Sequence, residues 1–104
     1  MFVGVCRLVL ALPPGTSSLK AKRAVVRRVV RKVRARFENV AIAEVGDMDV
    51  HRRSVLGLAV VSNDARHANA MIDTIVSFAS GANEAQIVDR AMEITPFGDH
   101  LGEG

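Results

Sequence analysis

Nine basic residues and no acid fall between residues 17 and 37: Lys20, Lys22, Arg23, Arg27, Arg28, Arg31, Lys32, Arg34 and Arg36. The other residues carry five bases against eleven acids, so a net charge of +3 conceals a strongly dipolar chain. Steps of three and four place Lys20, Arg23, Arg27, Arg31 and Arg34 along one edge of a helix, about one per turn. Such a row, along roughly 20 Å of helix, can follow successive phosphates. Arginine predominates in it, and the planar guanidinium fork suits phosphate oxygens. The chemistry indicated is docking on a nucleic-acid backbone, electrostatic and strongly salt dependent. With no Trp, no Tyr and four Phe, two of them (Phe37 and Phe78) in helical segments, base stacking is disfavoured.

Reaction chemistry finds little footing. Glu44, Asp47 and Asp49 read as solvated acids at a strand end, too few and too divergent to hold a hard cation. His51, His67 and His100 have no metal-ligand spacing. Ser54, Ser62 and Cys6 have no neighbouring base that the sequence assigns to them. Cys6, the lone cysteine, sits in an apolar run and reads as a buried hydrophobe. The loop Pro13-Pro14-Gly15-Thr16-Ser17-Ser18 carries neither a phosphate-binding arginine nor a C-x-x-C pair. No catalytic residue, metal or cofactor is therefore expected, and the chain reads as non-enzymatic.

The elements that must position the basic row follow from periodicity and punctuation. Phe2 to Leu12 alternates as a strand and stops at Pro13-Pro14-Gly15. Thr16, Ser17 and Ser18 offer N-cap hydroxyls to a valine-rich helix over 19–37, with Leu19, Val26, Val30, Val33 and Phe37 as its inward stripe. Residues 39–49 and 54–62 read as two strands joined by a short turn. Ser62-Asn63-Asp64 supplies a second N-cap, and a helix follows to about Ser80, with Ala68, Met71, Ile72, Ile75 and Ala79 inward and Gly81 as its stop. A last strand covers 84–95, before Pro96. The order β-α-β-β-α-β, with right-handed crossovers, gives an α+β sandwich of ferredoxin-like form. Its four-stranded antiparallel sheet has the order 4-1-3-2, with both helices on one face. One domain spans residues 1–97, and residues 98–104 form a flexible tail.

Four segments carry a family resemblance: Val3-Gly4-Val5-Cys6-Arg7-Leu8, Ser18-Leu19-Lys20-Ala21-Lys22-Arg23, Ala43-Glu44-Val45-Gly46-Asp47, and Leu56-Gly57-Leu58-Ala59-Val60-Val61-Ser62-Asn63-Asp64. In this order and spacing the chain resembles the YlxP-like bacterial family, small proteins of unknown function. The resemblance implies a ferredoxin-like fold and a cytoplasmic bacterial protein. Family members are often encoded near translation-initiation and ribosome-maturation factors, which implies RNA or ribosome contact. It supplies no catalytic residue.

The sheet face away from the helices has no element to cover it. Val3, Val5, Arg7 and Val9 project there from a central strand, joined by Gly57, Ala59 and Val61. Monomers seldom leave a large apolar patch in water. A homodimer through Val3, Val5, Arg7, Val9, Ala59 and Val61 is the expected assembly, with Glu44, Asp89 and Glu93 available to Arg7. A protein–protein interaction module using this face, with no nucleic-acid role, is the alternative function. No run approaches the roughly 20 apolar residues that span a bilayer, so no membrane role is expected.

Overall fold

The computed structural model describes residues 1–82 and 85–98. Its elements are β1 (Phe2–Ala11), α1 (Leu19–Arg36), β2 (Ala41–Gly46), β3 (Arg53–Ser62), α2 (Ala65–Ala82) and β4 (Gln86–Pro96). The sheet order is β2-β3-β1-β4, every pair antiparallel, the ferredoxin-like arrangement expected from the sequence. Of the expected tail, residues 99–104 lie outside the described residues, as does Glu84, where the last strand was expected to begin.

Alternation decides which face each strand buries. Cys6, Leu8 and Leu10 of β1 join Leu56, Leu58 and Val60 of β3 in the core beneath the helices. Gly4 shares this face by alternation, and glycine suits the position because a Cβ there would come within 2.7 Å of the Ile72 side chain of α2. From α2, Ala68, Ile72, Ile75 and Ala79 are buried, matching the expected stripe, with Met71 packed at its edge. The helix runs through Gly81, where a stop was expected.

The first helix starts where its cap dictates. Ser18 has extended backbone, and its hydroxyl accepts from the Ala21 N–H at 3.1 Å. Truncation by Ser18→Ala is expected to cost about 1 kcal/mol, read as a lower urea midpoint at unchanged slope. At the other helix, Asp64 accepts from the N–H groups of Arg66 and His67.

The buried stripe of α1 is turned from its expected position. Lys22, Val25, Val26, Val29 and Val33 are buried, while Leu19, Val30 and Phe37 are half-buried at the flank. Apolar periodicity alone rotates the stripe away from lysine, and here a lysine occupies a core position. Phe37 meets Phe78 of α2 edge to face, with ring centroids 5.5 Å apart.

The second strand is shorter than the 39–49 expected. Asp47 leaves the ladder with a left-handed φ of 55°, which Asp tolerates better than most residues. Its carbonyl then accepts from the Val50 N–H at 3.1 Å, closing a turn through Met48 and Asp49. Among the described residues, no helix is long and apolar enough to cross a membrane.

Candidate nucleic-acid interface

The basic row falls beside the edge strand β2. Arg23, Arg27, Arg31 and Arg34 line one groove of about 440 Å³, floored by Val26 and Val30 and walled by Ala43 and Glu44. All four arginines are exposed. At 1.5 Å per residue the row from Arg23 to Arg34 extends about 16 Å. Lys20 is exposed one turn earlier on α1 and lies outside the groove lining. Arg34 is anchored, its guanidinium donating to the Ile42 carbonyl at 2.9 Å, and this fixes the helix end against β2. Among the described residues, no acid pairs with Arg23, Arg27 or Arg31. Three like-charged neighbour pairs along the row cost about 1 kcal/mol together at low salt, a cost that a bound polyanion removes.

Glu44 is the groove's one acid, and its carboxylate is engaged inward. Lys22 reaches it at 2.9 Å, with the lysine side chain 0% and the glutamate 18% exposed. Ser54, fully buried on β3, donates its hydroxyl to the same Glu44 oxygen at 2.6 Å. The Lys22 ammonium also donates to the Asp47 carbonyl. The sequence had read Glu44, Asp47 and Asp49 as solvated and had offered Glu44 to Arg7. Both readings are corrected for Glu44, which pairs with Leu56 in register and faces the helices, away from Arg7. Asp47 is also partnered, holding Arg53 at 2.8 Å across the turn.

This cluster was missed because periodicity scores lysine as outward. A signal was present nonetheless. Lys22 stands in phase with Val26, Val29 and Val33, and Glu44 stands in phase with the buried Ile42. The cluster joins two of the four segments that carried the resemblance. Chemically it is closed: the Ser54 hydroxyl and Lys22 ammonium both donate to Glu44, and neither faces open space that a substrate could enter.

The remaining chemistry-bearing groups are dispersed. Ser62 accepts from the Asp64 N–H at 3.1 Å, and so serves the entry to α2. Cys6 is buried, and desolvation pushes its thiol above the ordinary range, opposed by Arg90 and reinforced by Asp73. Because the thiolate is the reactive form, iodoacetamide should modify native Cys6 at least about tenfold more slowly than the urea-unfolded chain at pH 8. Equal rates would contradict this placement. Among the described residues, no group of three His, Cys, Asp or Glu side chains could hold a metal ion.

The uncovered sheet face carries most of the expected interface residues. Val5, Arg7 and Ala59 line a broad trough of about 810 Å³, Val61 is exposed at its end, and Val3 is half-buried beside Val61. Val9 is a correction, being only 3% exposed within the single chain, next to buried Val55. Ladder irregularities flank this pair, at Val9/Leu10 against β4 and at Glu44/Gly46 against β3. Bulges raise local twist and bend the strand, so this end of the face curls and takes Val9 into the fold.

Comparison with known proteins agrees with the architecture. Over 69 residues the chain is 33% identical to the uncharacterized protein YlxP of Bacillus subtilis (strain 168), covering 66% of this chain and 74% of that protein. A de novo designed protein with a ferredoxin fold superposes with a TM-score of 0.52 at 18% identity, covering 95% of this chain and 89% of the design. The crystal structure of a candidate chlorite dismutase, TA0507, superposes at 0.53 and 11% identity, covering 97% of this chain. The chain spans about half of that neighbour, 47% of its length, and at such identities both likenesses concern the fold alone. Residues 3–92 match the family model described as a protein of unknown function (DUF503), and the chain belongs to that family.

Proposed function

We propose that this chain is a non-enzymatic accessory protein of the cytoplasm that docks on RNA, free or in ribosomal particles, through the basic groove of α1. The observation that carries the reading is the convergence of Arg23, Arg27, Arg31 and Arg34 on one groove whose sole acid is neutralised from beneath by Lys22. An anion approaching that groove meets four guanidinium forks and a carboxylate already engaged. Steps of three and four residues put successive forks about 4.5–6 Å apart along the axis, close to the step between phosphates of an extended strand. The groove presents no aromatic ring and no amide side chain to a base edge, so binding is to backbone and carries little sequence preference.

The test is direct. Fluorescein-labelled single-stranded RNA of mixed sequence, titrated with the protein at ~50 mM salt, should show saturable anisotropy with a Kd in the micromolar range or tighter. An unlabelled RNA of unrelated sequence should compete equally. Absence of binding at that salt would contradict the proposal.

A further inference from the structure

We infer that a second copy of this chain covers the open sheet face, through a two-fold contact in which Arg7 of each copy pairs with Glu93 of the other. Arg7 stands on the central strand β1 with Gly57 on one side and Ala91 on the other. Its long cationic side chain therefore rises beside two small residues, with Val45 of β2 leaning over Gly57. Glu93 lies on the same face, opposite Val5 on β4. The two are diagonal cross-strand neighbours, about 7–8 Å apart at the backbone. Among the described residues, neither forms an ion pair within its own chain.

That arrangement is self-complementary. A two-fold axis lying between the two faces, midway between Arg7 and Glu93, sets Arg7 over the partner copy's acid and Glu93 over its base. Both pairs form at once, as an isologous contact requires. The surroundings suit sheet-on-sheet packing. Val5 is 42% exposed and Val61 is 57% exposed, and Ala41, Ala43 and Ala59 leave the surface low enough for a second layer. Three strands of ten or eleven residues and the six-residue β2 present a face about 19 Å wide and about 33 Å long, shorter at the β2 edge. That is roughly 600 Å² in projection, and more when the pleat is counted. A standard interface takes about 800 Å² per partner. The two helices lie on the other side of each sheet, so the dimer would be a four-layer sandwich with a basic groove along the β2 edge of each copy.

Sedimentation equilibrium of the full chain at ~50 µM tests this. A dimer is expected for the wild type, and Arg7→Glu should weaken it at least about tenfold. The swap Arg7→Glu with Glu93→Arg should restore it, because the contact is symmetric. Val5→Glu, at an exposed position, should give a monomer with an unchanged circular dichroism spectrum. A wild type that stays monomeric at ~50 µM overturns the inference. So does a dimer indifferent to Val5→Glu, or one that Arg7→Glu weakens and the swap does not rescue.

Discussion

The double reversal Arg27→Glu with Arg31→Glu is expected to lower RNA affinity by about a hundredfold or more at ~50 mM salt. Both side chains line the centre of the α1 groove, are exposed, and have no acidic partner among the described residues. A hydrogen bond to a charged group contributes about 1.5–3 kcal/mol, and each 1.4 kcal/mol is a decade in affinity. Two lost contacts therefore give two decades before the repulsion of the new carboxylates is counted. The fold should be unaffected, because the buried stripe of α1 runs through Lys22, Val25, Val26, Val29 and Val33. A thermal midpoint within a few degrees of the wild type is the control. An unchanged affinity would move the RNA site to another surface.

The largest stability effect is expected at Lys22. Replacement by Met keeps the stem and removes the ammonium. It leaves Glu44 charged and largely buried with only Ser54 as a donor, and deprives the Asp47 carbonyl of a partner. Removing one member of a buried pair costs about 3–5 kcal/mol. Because Glu44 retains some exposure, about 3 kcal/mol is expected, which lowers the thermal midpoint of a domain this size by more than ~10 °C. Urea unfolding measures it. Adding Glu44→Gln should recover part of the loss, since the second change removes the stranded charge and the two sites are in contact. A neutral Lys22→Met would mean that the cluster contributes nothing to holding α1 against β2. In that case the groove, which depends on this placement, would need another support.

How much of this was legible before the structure differs by residue. The strands, both helices and the capped starts at 16–18 and 62–64 follow from alternation, Pro13-Pro14-Gly15 and short polar residues, which are local signals, and the strand order follows from the element order through the handedness of the crossovers. That the arginines share one exposed edge of α1 was legible because steps of three and four return to the same helix face; a merely solvated face and an acidic protein partner remained competing readings of that edge. Lys22 was not legible, because only its partner makes a buried lysine tolerable, and that partner lies 22 residues away on β2. Glu44 was assigned to the wrong face for the same reason: its charge outweighed its phase with Ile42. Val9 and the end of β2 escaped because bulges break the two-residue period that placed them, and nothing local in the sequence marks those irregularities. The left-handed Asp47, likewise, is held by contacts that form only once β2 and β3 are paired.

The central claim, that the α1 groove binds RNA through its phosphates, is tested most directly by the salt dependence of affinity. Each phosphate neutralised on a single strand contributes about −0.7 to the slope of log K against log salt. Four groove arginines therefore give a slope of about −3 for the wild type between ~50 and ~200 mM salt. Arg27→Glu with Arg31→Glu should reduce its magnitude by at least half. A wild-type slope near zero would contradict the account, as would a slope near −3 that the double reversal leaves unchanged.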